Sequence, residues 1–449
     1  MNTGSELVQS EVSKKTGTEQ KMGLIGAIAV IVGSMVGASI FAFLGSIAAK
    51  TGSSLYIVYL IAVIPAIFGS VAYLQLGAMF PESGGTYHYN KKLLSPFMGL
   101  LAGLSILFAA VGVLSTMSIA LAQFLQMYLP NAPLIPTSLG VLALFFIINF
   151  FGLKTTNAIQ VIMVIWMIAA LLIFAFPGLI IGEPAPPSDL PFLSNGFSGL
   201  FIAAALASFA YAGYNIITEL GGNIKNPKRN LPLSIIISLL LVALIYFFVT
   251  LAVSRLVPAE ELATGDLSLT TIATQFLSPG FVTFIGIGAL LALATTLNVA
   301  VMIIPQELNA IAKDGLAPKI FTKLHGKNEI PTAGLITGFV FGVLLILSGI
   351  SLDASGLMIT VGFLAAAVFT GFGARKAPKL FKSDYEAAEI RIRPRVLSFF
   401  CWAGILSSLF FIFFSMVDAP LVMVAYIVLV IAAYVYHKWI NKNNLNVEE

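Results

Sequence analysis

The sequence predicts an all-α membrane protein of twelve spans, built as two inverted five-helix repeats with two further helices appended. Three observations predict it: apolar stretches long enough to cross a bilayer, a one-sided distribution of basic residues, and a matched pair of small-residue interruptions. Of the 449 residues, 58% are hydrophobic and only 10% charged, and the mean hydropathy is +0.97. Soluble domains carry roughly 25% charged residues.

A span needs about 20 apolar residues. Stretches of that kind run over 22–49, 55–80, 97–128, 134–151, 157–181, 197–221, 231–256, 279–312, 332–350, 355–374, 396–417 and 419–438. The run from Met22 exceeds the roughly 7–15 residues of a signal-peptide core, so it reads as an uncleaved first span. Pro65 and Pro305 lie inside spans two and eight and are expected to kink them. The loop 183–196, opening Glu183-Pro184-Ala185-Pro186-Pro187, is too proline-rich for a helix, whereas 257–278 has room for short surface helices. Residues 1–21 and 439–449 are polar and read as cytoplasmic tails.

Charge sets the orientation, because cytoplasmic loops carry excess Lys and Arg. With the N-terminus inside, Lys50 and Arg255 are the basic residues left outside, so 22 of the 24 Lys and Arg fall within. The outer loops instead hold Glu183, Asp189, Glu260, Glu261 and Asp266. One miscounted span would invert every later loop, so this bias supports the span count as well. Both termini are then cytoplasmic, in a plasma (inner) membrane.

The interruptions are Gly33-Ser34-Met35-Val36-Gly37-Ala38-Ser39-Ile40-Phe41 in span one and Ser208-Phe209-Ala210-Tyr211-Ala212-Gly213-Tyr214-Asn215 in span six. Their helices start five spans apart, an odd number, so the second unit (197–374) enters from the side opposite to the first (22–181). Helices 396–438 lie outside the repeat. Backbone broken at membrane depth is costly unless a ligand, ion or neighbour satisfies it, and paired interruptions of this kind point to a transporter's substrate site.

The half-helix after Gly37-Ala38-Ser39 would offer free N–H groups and a positive dipole end to a carboxylate. If span six breaks at Phe209–Gly213, its first half ends in free carbonyls that suit an ammonium group. Together they describe an α-amino acid, with Phe209 and Tyr211 placed to cover it as a gate. Close helix packing through small residues and an aromatic packing stripe are the alternative readings. In span eight, Thr295 and Thr296 with the carbonyl of Ala292 are hard oxygen ligands for a small cation; hydroxyls bonded to their own helix are the alternative.

No Asp, Glu, Lys or Arg lies at mid-depth, since Glu82, Glu219 and Glu307 sit toward cytoplasmic ends. A deep ionisable residue would be the default proton relay, so a substrate with a neutral side chain is expected. Glu219 reads either as the partner of a cytoplasmic basic residue or as a gate. The stretch Arg375 to Arg395 reads as a solvated or lipid-facing inner loop. A single cysteine, Cys401, excludes an intramolecular disulfide, and three histidines leave no Cys/His metal cluster. A channel would need a polar-lined path, and a membrane enzyme a deep cluster of His, Asp, Glu or Cys; neither pattern is present.

Four motifs resemble the amino acid–polyamine–organocation permeases, close to bacterial and archaeal amino acid permeases. Gly37-Ala38-Ser39-Ile40-Phe41 is similar to the family's Gly-Ser-Gly-Ile-Phe. Pro81-Glu82-Ser83-Gly84-Gly85-Thr86-Tyr87 resembles Pro-x-Ser-Gly-Gly-x-Tyr. Phe209 to Asn215, with Glu219 and Asn226-Pro227-Lys228-Arg229, resembles the unwinding of helix six and its following loop. Ala312-Lys313-Asp314-Gly315-Leu316-Ala317-Pro318 resembles Ala-Arg-Asp-Gly-x-x-Pro. The resemblance covers 22 to about 320 by motif and the rest by topology.

It implies the LeuT-type fold and alternating access. It also implies carboxylate binding at the backbone of Gly37, Ala38 and Ser39, ammonium binding by carbonyls of Met35, Phe209, Ala210 and Ala212, and Phe209 as the aromatic gate. The chain departs from the family at Ala38 and Ser39, which replace a hydroxyl and a glycine. Many relatives carry a helix-five lysine in place of a sodium ion, at about Met167 here. That change, and the spacing of Ala292, Thr295 and Thr296, favour sodium over proton coupling. Pro305-Gln306 replaces a Ser-Arg pair. The expected function is cation-coupled symport of a neutral amino acid, with exchange or nutrient sensing on the same fold as alternatives. The expected partners are the amino acid and the bilayer, with no nucleic acid, in a monomer or weak homo-oligomer.

Overall fold

The computed structural model describes residues 21–445, apart from 82–84, 127–128, 152–156, 188–190, 220–223, 266 and 326–330. The first tail, Glu82 and Lys154 therefore lie outside the described residues. Among the described residues every regular element is a helix.

The first apolar stretch folds as three helices in line: α1 (Leu24–Met35), α2 (Ala38–Ala42) and α3 (Leu44–Thr51). The second divides at Val63 into α4 (Leu55–Ala62) and α5 (Ile64–Met79). Pro65 is the cause: it occupies the first turn of α5, where its missing N–H leaves no bond unmade. The short α6 (Gly85–Leu93) leads into α7 (Pro96–Gln126), α8 (Leu134–Phe150) and α9 (Asn157–Ile180).

The sixth stretch starts as α10 (Gly196–Ala207), tightens into a 3-10 helix (Ser208–Asn215) and closes with one turn, α11 (Ile216–Glu219). Then come α12 (Pro227–Leu256), the expected loop helices α13 (Ala259–Thr264) and α14 (Leu269–Ala273), and α15 (Pro279–Lys313). The chain ends with α16 (Thr332–Leu347), α17 (Leu352–Ala374), the short α18 (Ala377–Leu380) and α19 (Lys382–Glu386), α20 (Pro394–Asp418) and α21 (Pro420–Leu445).

Helix α15 continues through Pro305. A Cβ at Gly334 of α16 would lie 2.6 Å from the Pro305 Cα. The proline thus sits where α16 comes closest, and glycine permits the approach.

Ten of these helical stretches are long and apolar enough to cross a membrane, while α8 and α16 are apolar but shorter. At 1.5 Å per residue, the 17 residues of α8 rise about 25 Å. Helix α7 packs against α15, α17 and α8; α15 against α9 and α16; α9 against α1; α12 against α1 and α5; and the 3-10 helix against α5 and α17. Burial follows this arrangement. In the sixth span 83% of the apolar window is buried, against 11% in the last, so the sixth is central and α21 is peripheral.

Charged side chains tie the ends of the helices together. Lys50 of α3 binds Asp418 of α20 at 3.0 Å and Asp353 of α17 at 3.6 Å. The Arg255 guanidinium at the end of α12 donates to the carbonyl of Leu179 in α9. Lys91 of α6 binds Asp314 at 2.7 Å, just past α15.

Candidate substrate site

The interruption in span one is a true break. Helix α1 ends as Val36 turns to ψ 69°, and the Gly37 N–H donates back to the Met35 carbonyl at 3.0 Å. Helix α2 starts at Ala38, so its first amides have no partner within the helix. The interruption in span six is different. The sequence predicts an unwound segment with free carbonyls, but Ser208–Asn215 is a 3-10 helix, buried throughout. Its i to i+3 hydrogen bonds keep donors and acceptors paired in a dry interior. A carbonyl so paired retains only its second lone pair for a ligand, and that of Gly213 already has two donors, the Ile216 N–H and Ser34 Oγ.

The fold brings the two interruptions into contact. A Cβ at Gly213 would lie 2.2 Å from Ser34 Oγ, and one at Gly37 would lie 2.1 Å from Thr296 Oγ1. Ser34 Oγ donates to the Ile31 carbonyl at 2.7 Å and reaches the Gly213 carbonyl at 3.5 Å. Spans one, six and eight thus meet backbone to side chain at the same depth.

A chain of tyrosines fixes this geometry. Tyr246 of α12 donates to the Met35 carbonyl at 2.9 Å and accepts from Ser39 Oγ at 3.4 Å. Tyr59 of α4 donates to the Ser39 carbonyl at 3.1 Å, and Tyr211 donates to the Tyr59 carbonyl at 3.1 Å. The Met35 carbonyl, expected to bind an ammonium group, already accepts from Tyr246 and Gly37, so both its lone pairs are engaged. Tyr211 is fully buried within this scaffold. Phe209, by contrast, sets its ring edge-on to Phe43, 5.1 Å between centroids, and faces a cavity on either side.

The larger cavity, about 30 Å³, is bounded by Ser34, Gly213, Ala212, Phe209 and Thr296, and otherwise by apolar groups of spans three, eight and ten, including Ile106, Val113, Met117 and Ile303. The smaller, about 10 Å³, lies behind Phe209 toward Pro65, Asn215 and Thr360. Neither cavity is lined by a charged side chain. Thirty cubic ångströms is about the room of one water, so an amino acid needs the surrounding helices to part.

Beside the larger cavity the span-eight oxygens converge on span one. Thr295 Oγ1 lies 2.9 Å from the Ala292 carbonyl and 3.4 Å from that of Gly33; Thr296 Oγ1 lies 3.0 and 3.3 Å from the same two. Four hard oxygens from two spans are thereby gathered, a donor set suited to a small cation. The threonines bond their own helix, as the alternative reading expects, and also reach the Gly33 carbonyl of span one.

A family model described as amino acid permease matches residues 22–436. The chain belongs to the amino acid permease family, within the superfamily that its motifs resemble. The permease is 24% identical to the branched-chain amino acid permease BcaP of Bacillus subtilis (strain 168) over 410 residues, 85% of this chain and 87% of that one. It is 29% identical over 369 residues to cationic amino acid transporter 3, mitochondrial, of Arabidopsis thaliana, 76% of this chain but only 59% of the plant protein's length. It is 26% identical over 358 residues to the methylthioribose transporter of Bacillus subtilis (strain 168), 75% of this chain and 76% of that one. These relatives are transporters; the permease is a multi-pass membrane transporter and not an enzyme.

Glu219 has no basic partner among the described residues, contrary to one expectation. Its Oε1 accepts the Thr86 N–H at 2.9 Å, tying the end of span six to α6, while Oε2 has no hydrogen-bond partner. Glu307 is buried beside Gly103 of α7, and its Oε1 is likewise unpartnered. Asp314 accepts from the Tyr87 hydroxyl at 2.7 Å and pairs with Lys91. Burial pushes the Asp314 carboxyl up, but Lys91 and Tyr87 outweigh it and hold the group below its ordinary range.

Sequence reasoning missed Tyr59, Tyr246, Gln160 and the apolar wall of span three. Gly33 faces Gln160 and Val164 of α9, and the Gln160 amide nitrogen is buried without a partner. Met167, the position matched to the relatives' lysine, is buried apolar core. A polar residue in the first turn of an apolar span was the available signal for Gln160. The span-three wall had none, because Ile106, Val113 and Met117 look like any residues of a membrane helix.

Proposed function

We propose that the permease is a secondary transporter of an amino acid with a neutral, apolar side chain, working by alternating access in the plasma membrane with sodium as coupling ion. The observation that carries this reading is the cavity between the two interruptions. It is bounded by small and hydroxyl residues including Ser34, Gly213 and Thr296 and otherwise by apolar groups, with no charged side chain in its lining. The carboxylate would meet the first amides of α2 at Ala38 and Ser39. The ammonium would meet the spare lone pairs of the Phe209, Ala210 and Ala212 carbonyls, and Phe209 would cover it. The name of the branched-chain amino acid permease relative supports the same substrate class.

The reading includes twelve spans, the ten long stretches plus α8 and α16, in a LeuT-type inverted repeat with both termini cytoplasmic. The packing supports the repeat. If spans one to five correspond to six to ten, α7 on α17 corresponds to α15 on α9, and α7 on α8 to α15 on α16. In the same way α9 on α1 corresponds to α17 on the 3-10 helix, and α1 on α12 to the 3-10 helix on α5. Each of these contacts is made.

Gly33, Ala292, Thr295 and Thr296 would hold the sodium ion. A second reading, ion-independent exchange, draws on the same hydroxyls, which the Gly33 and Ala292 carbonyls already satisfy. Uptake by proteoliposomes under a sodium gradient separates the two. Valine, leucine and isoleucine are expected to accumulate and arginine and glutamate are not. Accumulation only against preloaded amino acid supports exchange, and binding without flux would make the protein a sensor.

A further inference from the structure

We propose that a groove on the basic face, between the α6–α7 corner and the end of α17, binds one anionic phospholipid. The groove measures about 690 Å³, within the range of sites that hold a small molecule. Leu94 and Met98 form one wall, and Phe369 and Phe372 the other. Phe372 is 36% exposed and Leu380, at the rim, 58%, so the walls open toward the lipid side.

Three bases close the inner end: Arg375, Lys376 and Lys379. Among the described residues none of them pairs with a carboxylate. Arg375 is anchored, with Nε donating to Ser398 Oγ at 3.3 Å and the guanidinium 4.1 Å from the centre of the Trp402 ring. Its charge is therefore fixed at the rim, and a tryptophan beside it suits the depth of lipid headgroups.

The combination selects the occupant. Unpaired bases at the end of a span attract an anionic headgroup, and the aromatic and aliphatic walls leave a place for the upper part of an acyl chain. A soluble anion would use the bases and leave the walls in water; a zwitterionic lipid would use the walls and gain little from the bases. A bound lipid would tie the α6–α7 corner to α17, which itself packs on the 3-10 helix of the substrate site.

The test is native mass spectrometry of the full-length protein in detergent, titrated with phosphatidylglycerol or phosphatidylcholine. One phosphatidylglycerol is expected to bind in preference. The double variant Lys376→Gln/Lys379→Gln should bind it about 30-fold more weakly, the factor expected for two lysines at an anionic surface. Lys225→Gln/Lys228→Gln, the same charge change elsewhere on the basic face, should leave it unchanged. Met98→Trp, which fills the wall without altering charge, should also displace the lipid. Equal loss in the control, equal binding of phosphatidylcholine, retention in Met98→Trp, or displacement by inorganic phosphate would each overturn the proposal. None of these readouts depends on transport, so they stand or fall apart from the substrate reading.

Discussion

Spans one and six each carry a small-residue interruption, and the backbone resolves them differently. In span one the helix stops at Met35 and restarts at Ala38, which leaves amides unpaired. In span six the chain narrows to a 3-10 helix and stays hydrogen bonded. Neither Gly37 nor Gly213 has a positive φ, so neither glycine is there for a left-handed conformation. Both are there for contact: Gly37 lets Thr296 approach, and Gly213 lets Ser34 approach. Small residues at membrane depth thus mark where helices touch, and whether the backbone also opens depends on what lies opposite. Opposite the span-one break lie Tyr59 and Tyr246, whose hydroxyls take up the carbonyls of Ser39 and Met35.

The comparison breaks most readily at the two glycines. In Gly37→Ala the new methyl meets a β-branched threonine with few rotamers to escape into. Overpacking of about 2 kcal/mol should lower uptake about 30-fold. In Gly213→Ala the neighbour is a serine, whose hydroxyl can turn away, so a loss of about threefold is expected. Uptake assays on both, at matched expression, check the order; a reversed order would mean that the 3-10 segment is the less tolerant.

Phe209→Ala sharpens the difference between covering and scaffolding aromatics. Phe209 borders both cavities, and its loss should weaken substrate binding about tenfold and speed release, a cost in the range of a buried aromatic anchor. Unchanged affinity and transport would remove its gate role. A smaller effect than that of Phe209→Ala is expected from Tyr246→Phe. It deletes one hydrogen bond to the Met35 carbonyl, a net effect of about 1 kcal/mol, and should weaken binding a few-fold by loosening the break. Tighter binding instead would assign that carbonyl to the substrate, as the sequence resemblance implied.

The all-helical membrane fold was legible in the sequence because lipid imposes long apolar runs. Pro65 marked the division of span two. Gly37, Gly213, Thr295 and Thr296 stood out because small and hydroxylated residues contrast with Val, Ile and Leu; the sequence offered them as ligand positions or as packing and own-helix contacts, and the structure places them where helices touch. The form of the second interruption was not: a 3-10 helix and an unwound segment have the same composition, and packing against α5 and α17 decides between them. Tyr59 and Tyr246 were hidden for another reason. Their role depends on which carbonyl each hydroxyl reaches in three dimensions, and nothing in an apolar span reports that. Glu219 was read from its charge, which suggested a basic partner, whereas the Thr86 amide supplies the contact.

The central claim is that the two interruptions, the apolar cavity between them and the oxygen cluster beside them form one sodium-linked site for a neutral apolar amino acid. Equilibrium binding of isoleucine to the purified protein, with sodium and with an equal concentration of choline, tests it most directly. Saturable binding that tightens at least about tenfold in sodium, and loses that dependence in Thr296→Ala, is the expected result. Binding of isoleucine that is indifferent to sodium, or a preference for arginine over isoleucine, would contradict it.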